Sequence, residues 1–183
     1  MTASNTPAVA IVAVLAVLSS LAQAVEYTDL EAAVLLAVNE HRATAGLAPQ
    51  SSHPEIVALA RRHSLAMARG EVVFGHEGMS ARMDVIVSQM AISSMAENVS
   101  RHTREATRVP AAALRVWRES EVHRKNMEGP HDLTGIGAAR SADGTFYLTQ
   151  IFVRTQPQVS RPGAFVIGSS RSGSMKRPGR TSE

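Results

Sequence analysis

The sequence predicts an α+β layered domain, with helices in its first part and a β-hairpin at its end. Apolar residues recur at helical spacing through 29–45 and again after Pro54. Near the C-terminal end the pattern changes to alternation over 135–140 and 145–153, and an Asp-Gly turn signal separates these two segments. Helices that precede a hairpin favour an α+β arrangement over the regular strand–helix alternation of a parallel sheet.

The first two helices are predicted from their apolar stripes and end signals. Helix one covers 29–45, with Asp29 as its cap and Gly46 as its stop. Helix two begins at a capping box formed by Ser52 and Glu55. Its inner stripe consists of Ile56, Leu59, Ala60, His63 and Met67.

Two further helices follow. Ser80 is a candidate cap for a short helix that extends through Ile86. A third main helix begins near Pro110 and directs Leu114 and Trp117 inward.

Composition and charge limit the class of protein. The chain has 183 residues and no cysteine, which excludes disulfides, thiol catalysis and cysteine-ligated metals. Residues 25–154 contain 14 Lys+Arg and 15 Asp+Glu, whereas residues 155–183 contain five and one. The body is therefore near neutral and the basic excess lies in the tail, so the overall basic character that is typical of nucleic-acid binding is absent.

The two ends are predicted to lie outside the fold. An apolar run over 7–21 ends in an Ala-Gln-Ala cleavage pattern, which predicts a signal peptide over 1–24 and a secreted or periplasmic protein. An uncleaved anchor or a buried helix is the alternative. The domain would then cover 25–154, followed by a disordered Pro/Gly/Ser-rich tail over 155–183. That basic tail either touches anionic surfaces or is simply solvated.

Ordered motifs resemble the CAP superfamily, the family of cysteine-rich secretory proteins, in its bacterial, cysteine-free type. The similarity to this SCP-like domain runs through residues 29–154. Its motifs are 38–49 (VNEHRATAGLAP), 60–68 (ARRHSLAMA), 74–78 (FGHEG), 96–99 (AENV), 117–127 (WRESEVHRKNM) and 135–137 (GIG). The resemblance implies a three-layer α-β-α sandwich with a small central antiparallel sheet.

The resemblance also implies a shallow cleft lined by histidines and acidic residues. By position in the motifs, it assigns His76, Glu97 and His123 to this cleft. The family's second acidic residue has no clear counterpart; Glu119 or Glu121 takes its place, or neither does, as in many bacterial members of the family. The other histidines are expected to be packed or structural, with His102 and His131 in loops.

Two functions remain open for this cleft. In the first, the protein is a secreted, non-catalytic binding module for a lipid, a glycan or another cell-envelope ligand. In the second, it is a weak metal-assisted hydrolase of peptidase type that uses His76, Glu97 and His123. No cofactor is assigned with certainty; Zn²⁺ is the candidate, with His76 and His123 as its ligands, because neutral imidazoles bind zinc.

Overall fold

Helix α1 opens the part of the chain that the computed structural model describes, residues 27–156, and occupies 27–44. The predicted signal peptide and residues 157–183 of the predicted tail lie outside the described residues. The later helices are α2 (Pro54–Ala68), α3 (Met79–Gln89), α4 (Val109–Glu119) and α5 (Glu121–Glu128), with a 3-10 turn at Ala106–Arg108 before α4. The strands are β1 (Ser51–Ser52), β2 (Ile92–His102), β3 (Leu133–Arg140) and β4 (Phe146–Thr155).

The four strands form one small sheet in the order β1-β3-β4-β2. The pairs β3–β4 and β4–β2 are antiparallel, and the two residues of β1 pair in parallel with β3. The sheet is therefore antiparallel except at this short parallel edge. The hairpin that joins β3 and β4 turns at Gly144, whose φ of 87° favours glycine.

Helices cover both faces of the sheet, so the predicted three-layer sandwich is confirmed. On one face α1, α4 and α5 pack against alternate residues of β3 and β4. The core of this face contains Leu30, Val34, Val38, Val109, Ala113, Trp117, Met127, Ile136, Ala138, Phe146, Leu148 and Phe152. On the other face, α2 and α3 enclose a smaller core of Ile56, Leu59, Ala60, Ile86, Ile151 and Val153.

Two glycines of β3 allow α2 to lie directly on the sheet. A Cβ atom on Gly137 would come within 2.1 Å of the backbone nitrogen of Arg61. A Cβ atom on Gly135 would come within 2.3 Å of the backbone nitrogen of Val57. The Gly-Ile-Gly motif is thus required by backbone contact, while its central isoleucine faces the opposite core.

Side chains from the helices cover the edges of the sheet. On the outer edge of β2, Trp117 Nε1 donates to the carbonyl of Val99 at 3.2 Å, and Asn126 Nδ2 donates to the carbonyl of Glu97 at 3.4 Å. On β3, the amide of Ala138 donates to the carboxylate of Glu31 at 3.0 Å. These contacts satisfy backbone groups that would otherwise be available for pairing with another strand.

The predicted helix starts need correction. Ser52 lies in β1 and His53 is the N-cap of α2 without a side-chain cap bond, so the predicted capping box with Glu55 is wrong. Pairing of the short β1 with β3 takes the serine into the sheet. Ser80 is likewise not a cap, because α3 begins after Gly78, whose φ is 74°.

Strand β2 was not predicted, and its presence changes the position of one histidine. His102 was expected in a loop, but it is the last residue of β2 and is buried. At the other end of the domain, Thr155 belongs to β4 and bonds to Asp132, so the folded body extends just past 154. Residues 97–100 of β2 are buried in succession, without alternation, because helices border both faces of this part of the strand.

Candidate functional site

His76 lies in the loop between α2 and α3, and its side chain is 46% exposed. The loop bends through glycines, of which Gly75 has a φ of 152° and Gly78 a φ of 74°. His76 Nδ1 lies 2.9 Å from Glu97 Oε1. Since a carboxylate only accepts hydrogen bonds, Nδ1 carries the proton, and Nε2 is the ring nitrogen that remains free for a ligand.

Glu97 projects from β2 towards α2 and α3, and its side chain is fully buried. Arg82 of α3 forms a two-bond ion pair with this carboxylate, with Nε to Oε2 at 2.8 Å and Nη2 to Oε1 at 2.7 Å. A third donor of Arg82 reaches the carbonyl of Glu77 at 2.8 Å. Arg82 therefore neutralises Glu97 and also holds the loop that carries His76.

His63 of α2 lies beneath the same loop and is buried. Its Nε2 donates to the carbonyl of Gly75 at 2.8 Å and lies 4.0 Å from Glu97 Oε1. Burial lowers the pKa of His63, and the charges of Arg82 and His76 lower it further, against the opposing effects of Gly75 and Glu97. The floor of the site therefore holds a buried imidazole, whose charged form is disfavoured by burial, next to a carboxylate that is paired with Arg82.

His123 approaches from the opposite face of the sheet, on α5. Ser120 caps this helix by accepting from the amide of His123 at 3.5 Å, and Asn98 Nδ2 donates to the carbonyl of His123 at 3.0 Å. Asn126 bonds in turn to Asn98, at 2.9 Å, and so fastens α5 to β2. This agrees with the supporting role that the family resemblance suggests for Asn126.

His76 and His123, the two histidines that the family resemblance assigns to a cleft, lie on opposite faces of the sheet next to β2. Burial lowers the pKa of His123, and the charge of His76 lowers it further. His123 Nδ1 is buried and has no hydrogen-bond partner within residues 27–156. The structure thus joins His76 to Glu97 by a hydrogen bond, while His123 is coupled to His76 only through its charge.

The two candidates for a second acidic residue have other partners. Glu119 is exposed and pairs with Arg115 at 3.3 Å, one turn away on α4. Glu121 is exposed and pairs with Lys125 at 2.6 Å on α5. Neither carboxylate has a hydrogen bond or ion pair with the cleft histidines, so the described structure offers neither as a partner for them.

Zinc does not fit this set of residues. Both oxygens of Glu97 accept hydrogen bonds from Arg82, so binding a metal would require breaking a buried ion pair. Within residues 27–156, no three His, Cys, Asp or Glu side chains are grouped so that they could hold a metal ion. A zinc site normally needs at least three protein ligands.

Arg82 is the residue of the site that sequence analysis did not identify. It is one of two buried residues of α3, and the other, Ile86, lies four positions later on the same face. An arginine at an inward position of an otherwise apolar stripe was the available signal, because buried arginines require an acidic or carbonyl partner.

Exposed apolar side chains precede His76 in the same loop. Val73 is 72% exposed and Phe74 is 41% exposed. The guanidinium of Arg101 lies 5.0 Å from the centre of the Phe74 ring, and Tyr147 meets that ring edge-on at 6.2 Å. A polar imidazole beside a supported aromatic ring suits a ligand with both polar and apolar parts.

The buried histidines predict that acidification destabilises the fold. Burial is the largest cause that lowers the pKa of His63, His102 and His131. A lowered folded-state pKa means that the unfolded chain binds more protons at acidic pH. The contribution of these histidines to the free energy of unfolding is therefore fully present above the ordinary histidine pKa of about 6.5. It falls as the pH decreases below that value, by up to about 1.4 kcal/mol per pH unit for each histidine.

Urea unfolding at a series of pH values from about one unit above to about one and a half units below that ordinary pKa, that is from about 7.5 to about 5, measures this effect. His102→Gln keeps a polar contact to Ser100, which lies 3.0 Å from His102 Nε2, and removes one titrating group. The variant should show a shallower loss of stability than the parent chain. A stability that is constant over this range would contradict the prediction.

Comparison with known proteins agrees with the fold. Residues 35–152 match the family model described as CAP, the cysteine-rich secretory protein family. Comparison with curated proteins finds no match. No helix within residues 27–156 has the length and hydropathy needed to cross a membrane.

Several solved bacterial structures share this fold. A cysteine-rich secretory protein of Staphylococcus aureus has 18% identity and a TM-score of 0.56, covering 70% of this chain and 40% of its own length. An extracellular SCP-domain protein of Bacillus anthracis has 21% identity and a TM-score of 0.55, covering 70% and 41%. An outer surface protein of Borrelia burgdorferi has 16% identity and a TM-score of 0.53, covering 67% and 90%.

The first two of these proteins are longer, and this chain spans about two-fifths of their length. At these identities the likeness shows the shared fold alone, whereas the family match covers most of the described domain. The chain therefore belongs to the CAP, or cysteine-rich secretory protein, family, of which it is a cysteine-free member.

Proposed function

We propose that this protein is an extracytoplasmic, non-catalytic binding module, which holds a lipid, a glycan or another amphiphilic cell-envelope ligand at the cleft around His76. The names of the similar solved proteins, which are secretory, extracellular or outer-surface proteins, support the compartment. The predicted signal peptide is consistent with it.

The main support for binding rather than catalysis is the state of Glu97. A general base must be free to accept a proton from water or substrate. Both oxygens of Glu97 instead accept from Arg82, and its side chain is fully buried. This leaves His76 as the accessible member of the pair, because the carboxylate that bonds to it is already paired with Arg82.

The surroundings of His76 favour recognition of an amphiphilic ligand. Its free Nε2 is available to bond a ligand hydroxyl, amide or headgroup, and Val73 and Phe74 offer apolar surface beside it. Rings that stack on a sugar face or pack against an acyl chain commonly contribute most of the binding energy at such sites.

The test is calorimetric titration of the full chain with soluble peptidoglycan fragments and, separately, with short-chain phospholipid. His76→Ala and Phe74→Ser should each weaken whichever binding is observed by about tenfold, equal to about 1.4 kcal/mol. Val87→Ser is the matched control, because Val87 is also exposed and apolar but lies on α3, outside the loop that carries His76.

The same samples distinguish the hydrolase alternative. Incubation of the peptidoglycan fragments with the protein, with and without added Zn²⁺, should give no products. Turnover that requires zinc and disappears in His76→Ala would overturn the non-catalytic proposal. Failure of both ligand classes to bind would remove the proposed cleft function itself.

A further inference from the structure

Basic side chains are concentrated on the side of the molecule formed by α4 and α5. Residues 102–128 contain six Lys+Arg and four Asp+Glu. The rest of 25–154 contains eight Lys+Arg and eleven Asp+Glu. Charge is therefore unevenly distributed in the near-neutral body: this segment has a net positive charge, and the rest has a net negative charge.

Two adjoining depressions on this side are lined by arginines, and we call them together the basic groove. One has a volume of about 410 Å³ and is lined by Arg104, Thr107, Arg108, Ala111, Ala112 and Arg115. The other has a volume of about 370 Å³ and is lined by His41, Arg115, Arg118, Glu119 and Arg124. Arg115 lines both, so the two depressions meet at this residue of α4.

Helical spacing explains why these arginines share one side of α4. Arg108 is the N-cap, and Arg115 and Arg118 follow it by seven and ten positions, close to two and three turns. Together they extend over about 15 Å of helix axis. Ala111 and Ala112 lie between them, and their small side chains leave room for a ligand.

Most of the arginines in the groove are available to a ligand. Among the described residues, the side chains of Arg104, Arg108 and Arg118 have neither a hydrogen-bond partner nor an ion-pair partner. Arg124 donates only to the carbonyl of Arg118, at 3.2 Å. Arg115 pairs with the exposed Glu119 at 3.3 Å, and such surface pairs contribute at most about 1 kcal/mol.

The positive charge of these arginines also acts on the neighbouring His102. Its pKa is lowered first by burial and then by the charges of Arg104 and Arg115. His41, at the far end of the groove, is paired with Glu128 at 2.9 Å. Glu119 is thus the only acidic side chain that lines the described groove.

We propose that the basic groove is a second binding site, separate from the His76 site, for a linear phosphate-bearing polyanion other than a single-stranded nucleic acid. Guanidinium groups bind phosphate through paired, charge-assisted hydrogen bonds. A row of them about 15 Å long matches several successive phosphates rather than a single ion. No Phe, Tyr or Trp side chain lines the described groove, whereas proteins that bind single-stranded nucleic acids stack bases on such rings.

The test uses the full chain and a short inorganic polyphosphate as the probe, with binding measured at several salt concentrations. The variant Arg115→Gln/Arg118→Gln removes one arginine in a surface ion pair and one unpaired arginine. The control Arg62→Gln/Arg69→Gln does the same on α2, where Arg69 pairs with Glu71 at 3.5 Å. Both doubles change the net charge equally and retain the basic tail.

The groove variant should bind polyphosphate about tenfold more weakly near physiological salt, with a shallower dependence of binding on salt concentration, because fewer charge contacts are made. The control should bind like the parent chain.

Equal losses in both doubles would show that net charge or the tail is responsible and would overturn the proposal. Orthophosphate binding as tight as that of polyphosphate would exclude a linear ligand, and binding to phosphatidylglycerol vesicles but not to polyphosphate would assign the groove to a membrane surface.

Discussion

Replacing Trp117 with alanine should destabilise the domain by about 3–5 kcal/mol, the usual effect of truncating a large buried aromatic side chain. Trp117 is fully buried in the core between α4 and the sheet. Its Nε1 also donates to the carbonyl of Val99 on the outer edge of β2. The substitution would therefore create a cavity and leave a buried carbonyl without its partner.

Urea unfolding followed by circular dichroism measures this loss. Trp117→Phe is the matched control, because it retains most of the buried ring and removes the hydrogen bond. It should be less destabilising than Trp117→Ala. As the protein has a single tryptophan, native fluorescence reports on it directly, and emission typical of a solvent-exposed indole would contradict the prediction.

Replacing Arg82 with methionine should also destabilise the domain by about 3–5 kcal/mol, because it leaves the charge of Glu97 buried without its ion-pair partner. The side chain of Glu97 is fully buried, and two of its hydrogen bonds come from Arg82. The loop that carries His76 would lose the bond from Arg82 to Glu77 as well.

The double variant Arg82→Met/Glu97→Gln separates charge burial from packing. If the unpaired carboxylate is responsible, the double variant should be more stable than Arg82→Met alone, because neutralising position 97 removes the buried charge. Equal or greater instability in the double variant would instead indicate that Arg82 acts through packing. Chemical unfolding with Trp117 fluorescence as the probe provides the comparison.

Local sequence patterns were sufficient for the main helices and the final hairpin. The apolar stripe of α2 and the inward position of Trp117 follow from helical periodicity. The Asp-Gly turn between β3 and β4 follows from its need for positive φ. Local patterns failed at Ser52, where strand pairing overrides a capping motif. They also failed at β2, because its residues 97–100 are buried in succession and show no alternation.

By itself, the sequence determined the α+β class, the family resemblance and the inclusion of His76, Glu97 and His123 among the candidate residues. Only the tertiary structure decided which hydrogen-bond and ion-pair partners the candidate residues have. Arg82, fifteen positions before Glu97, takes up both oxygens of that carboxylate, and Glu119 and Glu121 pair with basic residues on their own helices. The physical reason is that the charge available at a site depends on which groups are brought within hydrogen-bond distance, and packing between elements that are distant in sequence sets those distances.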